Sequence, residues 1–201
     1  MYKTVIFDVD GTLLDTEQVV LHALRVALSN VGLDYELEDL RFALGITGEK
    51  ALAKLGVENQ DAVMADWFEL EAKLNEEVRI FDGIVEVLSK LDGVGVVTSK
   101  NAGEMETGFY PFGLAPHFDV IVCASDTENH KPHPEPLLRC MELLDADPAA
   151  TIYIGDATYD MECAHRAGAD FGLALWGAKR TDGFENANLI FEKPSDILKY
   201  V

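Results

Sequence analysis

The pattern of apolar and polar positions divides the chain into three parts. A short apolar run at residues 2–7 leads directly into a polar turn, which is typical of a buried strand. From residue 17 to residue 79 the apolar positions recur at helical spacing, and nothing there has the pattern of a strand. This middle part is predicted to hold helices at residues 19–28, 37–44, 49–55 and 59–78.

Beyond residue 80, short apolar runs alternate with helical segments. The pattern predicts strands at residues 94–97, 120–123, 151–154, 171–175 and 189–191. It predicts helices at residues 84–91, 104–112, 137–144 and 159–167, with Ser195 capping a short final helix. Strands that are separated by helices form a parallel sheet with helices on both faces.

We therefore predict an α/β protein with a doubly wound, Rossmann-like parallel sheet and an inserted all-helical cap. Residues 1–15 and 81–201 would form the catalytic core, and residues 16–80 the helical cap. The hinges between the two would lie near residues 14–16 and 81–83. A chain of 201 residues is long enough for one such domain with an insert.

The charge balance narrows the classes of partner. The chain has 16 Lys and Arg residues against 36 Asp and Glu residues, a formal net charge of −20. Because nucleic acids and anionic membranes are bound through basic surfaces, we expect neither as a partner. The negative field attracts divalent cations and repels phosphates, so a phosphate site in this chain requires local positive charge.

The cysteines and the hydropathy pattern indicate the cellular compartment in which the protein is expected. The three cysteines are widely spaced, odd in number and without the spacing of a metal site, so they are expected to be buried thiols. No apolar run is long enough for a membrane span, and no apolar signal segment precedes the first strand. We therefore expect a cytoplasmic protein.

Two acids end the first apolar run. Asp8 and Asp10 point to the same side if the extended geometry continues that far, because side chains alternate along a strand. Two neighbouring carboxylates repel each other unless a cation or a strong donor lies between them. A second Asp-x-Asp pair, Asp145 and Asp147, lies before Pro148 and is expected to be a solvated turn. The position of the first pair, after a buried strand, favours a site for Mg²⁺ and an anion.

Further polar residues follow the other predicted strands. They are Thr98 and Ser99, Lys131 in a proline-rich loop, and Asp156 with Asp160. Since the carboxyl ends of parallel strands open on one crevice, these residues are predicted to meet Asp8 and Asp10 there. Each also has a plain structural alternative: Thr98 as a strand end, Lys131 as a solvated lysine, Asp156 as a helix cap and Asp160 as an exposed helical acid.

Phosphoryl transfer requires the groups that this crevice would hold. Asp8 is a candidate nucleophile and Asp10 a candidate general acid and base. Thr98, Ser99 and the backbone N–H groups near them can hold phosphoryl oxygens. Lys131 supplies a positive charge, and Asp8 with Asp156 offers oxygens to Mg²⁺. Asp160 lies four residues beyond Asp156 and can orient a metal-bound water.

Four stretches of the chain, FDVDGTLLDT, VVTSKN, HKPHPEPLL and IGDATYDMECAHRAGA, resemble in order the four motifs of the haloacid dehalogenase-like (HAD-like) hydrolase superfamily. The similarity covers nearly the whole chain and is greatest to the phosphoglycolate-phosphatase-like branch, which has a small helical cap. The resemblance implies a Mg²⁺-dependent phosphatase that works through an aspartyl phosphate. It assigns the nucleophile to Asp8, the acid and base to Asp10, and phosphoryl binding to Thr98, Ser99 and Lys131.

The same resemblance gives a metal site made of Asp8, the backbone carbonyl of Asp10 and the Asp156 carboxylate, with Asp160 supporting it. The chain departs from the family pattern at Phe81-Asp82-Gly83, where relatives often have a proline. It also departs at residues 45–48 of the cap, which hold no basic side chain although relatives place substrate-selecting residues there. The substrate stays open among phosphoglycolate, pyrophosphate, a sugar phosphate and a nucleotide.

Two alternatives remain open from the sequence. One is a sugar phosphomutase of the same superfamily, similar to β-phosphoglucomutase. The other is a phospho-Asp signalling module, against which the Asp-x-Asp-Gly-Thr turn and the inserted helical block both count. The expected partner is a small phosphorylated metabolite, and the expected assembly is a monomer or a homodimer.

Overall fold

The first strand lies at the centre of a parallel sheet, as its uninterrupted apolar character requires. The structure is a computed structural model that describes residues 1–201. Its six-stranded sheet has the order β5-β4-β1-β6-β7-β8, and every neighbouring pair is parallel. The main strands are β1 (Thr4–Phe7), β4 (Val94–Val97), β5 (Val120–Val122), β6 (Thr151–Gly155), β7 (Asp170–Ala174) and β8 (Leu189–Phe191). The predicted doubly wound α/β class is confirmed.

Helices cover both faces of this sheet. The core helices are α5 (Ile84–Leu88), α6 (Ala102–Gly108), α7 (Glu135–Leu143), α8 (Thr158–Ala167) and the short α9 (Leu175–Ala178). Val5 and Phe7 pack into one apolar cluster and Ile6 into another, because successive side chains of β1 point to opposite faces. Among the helices, none combines the length and the apolar character that a membrane crossing requires.

The middle of the chain is helical, as the spacing of its apolar residues predicts. It contains α1 (Glu17–Ser29), α2 (Leu37–Leu40), α3 (Gly48–Lys54) and α4 (Gln60–Leu74). The residues that follow α2 and α4 form single 3-10 turns, Arg41–Ala43 and Asn75–Glu77, so both helices are shorter than predicted. These helices share an apolar cluster of their own, which includes Leu24, Leu52 and Trp67. The boundaries at residues 16 and 80 stay a prediction.

A two-stranded antiparallel ribbon, which the sequence did not indicate, joins the helical block to the sheet. It pairs β2 (Leu14–Asp15) with β3 (Arg79–Ile80). Strands of two residues carry too little pattern for detection. The end of the chain also differs from the prediction, because Lys193, not Ser195, precedes the final 3-10 segment Pro194–Lys199.

Candidate active site

The carboxyl ends of β1, β4 and β6 bring the predicted residues together. These three strands are adjacent, and Phe7 of β1 lies in register with Val96 and Ile154 of its two neighbours. The pairing continues one residue further, where the backbone N–H of Asp8 donates to the Ile154 carbonyl at 2.9 Å. Asp8 therefore leaves the sheet between the loops that carry the Thr98 and Asp156 sets.

Lys131 is the centre of the cluster. Its Nζ donates to Asp8 Oδ1 at 2.9 Å and to Asp160 Oδ1 at 2.7 Å. The side chains of Lys131, Asp8 and Asp160 are only 1%, 2% and 0% exposed. A solvated lysine and an exposed helical acid, the structural alternatives for these positions, are both wrong. Because burying these charges is unfavourable unless they are paired, the ammonium is a structural requirement of the site.

Tyr153 is a member of the site that sequence reasoning missed. Its hydroxyl accepts from Lys131 Nζ at 3.2 Å and donates to the Val97 carbonyl at 2.8 Å. In the sequence Tyr153 is one aromatic residue in an apolar strand and is expected to be a packing residue. The only available signal was that a buried tyrosine hydroxyl needs a polar partner.

The local sequence places Asp160 at the start of α8. The backbone N–H of Ala157 donates to Asp160 Oδ2 at 3.0 Å, so the second carboxylate oxygen closes the first turn of the helix. Gly155 makes room for this carboxylate, since a Cβ there would lie 2.5 Å from Asp160 Oδ2. One oxygen of the Asp160 carboxylate is thus held by the backbone, and the other accepts a hydrogen bond from Lys131.

The electrostatics of the cluster follow from burial. Burial raises the pKa of Asp8 to about 7, and the Lys131 ammonium offsets only part of the effect. Burial, with Asp160 and Asp8 nearby, also raises the pKa of Asp156 well above its usual range. For Lys131 burial opposes the charge, but Asp160 and Asp8 outweigh it, so its pKa is raised. Three acids thus share one ammonium, and the site has an excess of negative charge.

The excess charge fits a divalent cation. Oxygen atoms of Asp8, Asp156 and Asp160 lie within 4.8 Å of one another, the spacing of a metal-binding group. Thr12 Oγ1 donates to Asp156 Oδ1 at 3.2 Å. Gly11 has φ of +73°, and a Cβ at this position would collide with the Asp156 carboxylate. The main chain of the turn after Asp10 therefore passes directly against the proposed metal ligand, where a backbone carbonyl can also serve.

Asp10 points elsewhere. Its carboxylate Oδ1 lies 3.2 Å from the Nζ of Lys100, whose side chain is 7% exposed. The carboxylate of Asp10 is absent from the metal-binding group that Asp8, Asp156 and Asp160 form. This orientation is compatible with a carboxyl group that handles protons on the substrate side.

The two predicted phosphate-binding hydroxyls differ in position. The Thr98 side chain is 3% exposed, and its Oγ1 accepts from the Lys100 backbone N–H at 3.2 Å. Ser99 lines the cavity beside Asp8, and its Oγ donates to the Gly45 carbonyl of the helical block at 3.0 Å. Both lie at the end of β4, but only Ser99 reaches the cavity.

The helical block closes over the site. Lys50 of α3 donates to the carbonyls of His130 and Lys131, at 3.0 and 3.2 Å. The cavity between the block and the strand ends is ≈ 40 Å³ and is lined by Asp8, Lys131, Gly45 and Trp67 among others. That volume holds only a few water molecules, which is too little space for a substrate in this arrangement.

Fold and site together define a capped, Rossmann-like α/β enzyme with an acid–lysine cluster suited to phosphate chemistry. The chain belongs to the haloacid dehalogenase-like hydrolases, since the model of that family matches residues 5–174. The confirmed family includes phosphatases, and the enzyme is one of them, as its relatives indicate.

Two relatives and two solved structures illustrate the similarity. The chain is 30% identical to pyrophosphatase PpaX of Bacillus mycoides (strain KBAB4), covering 98% of this chain and 95% of the relative. It is 30% identical to PpaX of Bacillus cereus (strain B4264), with 98% and 94% covered. A candidate phosphoglycolate phosphatase from Lactobacillus plantarum matches with a TM-score of 0.91, 28% identity and full coverage of both chains. CbbY from Rhodobacter sphaeroides shares the fold, with a TM-score of 0.81, 20% identity and 98% and 96% of the chains covered.

Proposed function

We propose that this enzyme is a Mg²⁺-dependent phosphatase that hydrolyses a small phosphomonoester through a phosphoryl group carried on Asp8. It would belong to the phosphoglycolate-phosphatase-like type. The observation that supports this most strongly is the buried contact between Lys131 and Asp8 at 2.9 Å. A lysine that must stay charged beside a carboxylate at the end of a central strand is suited to a nucleophile that acquires a phosphoryl group.

Two steps complete the reaction. An Asp8 oxygen attacks phosphorus, the bond to the leaving oxygen breaks, and Asp10 gives that oxygen a proton. Asp10 then takes a proton from a water molecule, which attacks the phosphoryl group and releases Asp8 and inorganic phosphate. The pairing of Asp10 with Lys100, and not with the metal-binding group, supports this division of roles.

Other residues stabilise the transferred group. Lys131 provides positive charge, and Thr98, Ser99 and the backbone N–H groups after β4 bind phosphoryl oxygens. Asp8, the Asp10 carbonyl and Asp156 would hold Mg²⁺, with Asp160 supporting the site through Lys131. When bound, Mg²⁺ neutralises the carboxylates so that an anionic substrate can approach.

Three further assignments concern the cap, the location and the assembly. We propose that residues 16–80 act as a cap that opens for the substrate, supported by the cap's own apolar cluster. A cytoplasmic location is supported by three free, buried cysteines. The proposed partner is a small phosphorylated metabolite, and the assembly a monomer or homodimer.

The test is phosphate release from a panel of phosphorylated metabolites, with Mg²⁺ or with EDTA. We expect inorganic phosphate in proportion to substrate consumed, only with Mg²⁺, and none with Asp8→Asn. The control is Asp182→Asn, which changes an exposed acid distant in sequence from the motifs. Substrate isomerised without phosphate release would show a phosphomutase instead, and full turnover by Asp8→Asn would reject the nucleophile.

A further inference from the structure

A second group of charges lies on the cap side of the cavity, away from Lys131. It consists of Lys100 and Glu104 from the core and Glu71 from α4 of the cap. Glu71, Lys100 and Glu104 also line a second cavity of ≈ 30 Å³ that extends toward the hinge. This space adjoins Asp8 on a side that Lys131 and Asp160 do not occupy, so we place the leaving group of the substrate here.

The only charged side chain that the cap contributes to the cavity lining is Glu71. Lys50, the nearest basic residue of the cap loop, is turned away and is bound to the carbonyls of His130 and Lys131. Residues 43–48 give the cavity only small and apolar surface. No cap cation therefore lines this cavity, and Arg41 of the cap, which lines the neighbouring cavity beside Asp156, is paired with Glu17 at 2.7 Å.

Lys100 does not supply that cation either. Its Nζ lies 3.2 Å from Asp10, and it is the central positive charge among Asp10, Glu71 and Glu104. It also lies against the main chain of α6, since a Cβ at Gly108 would be 3.4 Å from its Nζ. Three acids surround one lysine, so this side of the cavity is negative overall when Glu71 and Glu104 are ionised.

A buried hydrogen-bond donor without a partner lies at the same place and indicates a binding site there. The indole N–H of Trp67, a residue only 4% exposed, has no hydrogen-bond partner of normal geometry. It lies beside the Glu71 carboxyl group, one helical turn along α4. Glu104 accepts one hydrogen bond, from the Asn101 backbone N–H at 2.9 Å. Burial raises the pKa of both Glu71 and Glu104 to about 7, so both acids are ionised above that pH.

We propose that Glu71 is a specificity-determining residue that selects a leaving group carrying hydroxyl or ammonium donors and excludes one carrying a second anion. This inference rests on the proposed phosphatase function and names its substrate class, a phosphate ester of a small polyol or amino alcohol. Donors on the leaving group would bind the Glu71 and Glu104 carboxylates, and one acceptor would receive the Trp67 N–H. A carboxylate or second phosphate would be placed among like charges, which is strongly unfavourable in a buried site. The enzyme would then differ in substrate from relatives named for pyrophosphate or phosphoglycolate.

Three substrates of nearly equal size separate charge from shape. They are 2-hydroxyethyl phosphate, phosphoethanolamine and phosphoglycolate, whose leaving groups are neutral, cationic and anionic. At pH 8, where Glu71 and Glu104 are ionised, we expect kcat/KM with Mg²⁺ to be at least about tenfold higher for the first two than for phosphoglycolate. In Glu71→Gln the ratio of kcat/KM for 2-hydroxyethyl phosphate to kcat/KM for phosphoglycolate should shrink by about tenfold, because kcat/KM for phosphoglycolate rises. Glu69→Gln, on the exposed side of the same helix, should leave the ratio unchanged.

Each other outcome has a defined meaning. Phosphoglycolate hydrolysed as well as or better than the other two would overturn the inference while leaving the phosphatase function intact. An equal loss for all three substrates in Glu71→Gln would show a structural role and also overturn it. Glu104→Gln serves as a second variant, which we expect to shift the ratio in the same direction even if Glu71→Gln fails to fold. Phosphate release from none of the three would reject the inference, and a silent metabolite panel would additionally reject the proposed function.

Discussion

Removing the Asp8 charge is expected to stabilise the folded protein in the absence of Mg²⁺. Burial raises the pKa of Asp8 from its ordinary 3.8 to about 7, so the folded chain holds this proton more tightly than the unfolded chain. The contribution of Asp8 to stability is therefore fully present below pH 3.8 and is lost as the pH rises to about 7. Above that pH, the buried carboxylate destabilises the native state.

The magnitude follows from the two pKa values. Their difference of about three pKa units corresponds to about 4 kcal/mol at pH 8, at about 1.4 kcal/mol per unit. Asn in place of Asp8 keeps an oxygen that can accept from Lys131 but loses the attraction between the charges. We therefore expect Asp8→Asn to raise the free energy of unfolding by about 2 kcal/mol at pH 8 in EDTA.

Urea unfolding from pH 4 to pH 8 measures this effect. The stability of the wild type should fall more steeply with pH than that of Asp8→Asn, and Mg²⁺ should stabilise the wild type more than the variant. Asp182→Asn, an exposed control, should change stability by less than about 0.5 kcal/mol at every pH. A variant that is less stable than the wild type at pH 8, or a difference independent of pH, would refute the reasoning.

Two further substitutions probe the same cluster. Lys131→Met should destabilise the protein by about 3–5 kcal/mol in urea unfolding, because it leaves buried carboxylates without their partner, whereas the exposed Lys90→Met should stay within about 1 kcal/mol. A loss as small as that of the control would contradict the pairing. Gly11→Ala should weaken Mg²⁺ binding, measured as the Mg²⁺-induced rise in Tm, because the added Cβ collides with the Asp156 carboxylate. Gly32→Ala, at φ of +80° with nothing within 4 Å, introduces the same backbone strain and should leave that rise unchanged.

The parts of the fold that depend on long or strongly apolar segments were predictable. Val94–Val97 is a strand over the residues predicted, since buried parallel strands are continuous apolar runs. The edge strand Leu189–Phe191 also has the predicted bounds, although Ile190 is exposed. The ribbon of β2 and β3 was not predictable, because two residues per strand show no periodicity. Helix ends such as residues 75–78 were extended too far, since 3-10 turns share the local pattern of a helix.

The candidate site was predictable in its acids and in Lys131, because their positions follow from the ends of successive strands. The roles of the individual residues within the site were not predictable. That Asp160 holds Lys131, and that Tyr153 completes the contact, depends on how a loop 20 residues before β6 folds back over the sheet. The pairing of Asp10 with Lys100 depends on how the loops after β1 and β4 meet, and the approach of Glu71 on how the cap lies over them, neither of which a local pattern encodes.

The central claim is that Asp8 carries the phosphoryl group during turnover. Rapid acid quench during turnover of an aryl phosphate, followed by peptide mass spectrometry, tests it directly on the wild type and on Asp10→Asn. Because an aryl oxide leaves without a proton from Asp10, this substrate lets the variant form the intermediate while its hydrolysis slows. We expect a phosphoryl group on Asp8 in the peptide that contains it, with more in Asp10→Asn than in the wild type for the aryl phosphate. Product formed without any enzyme-bound phosphoryl group, or a phosphoryl group found on another residue, would contradict it.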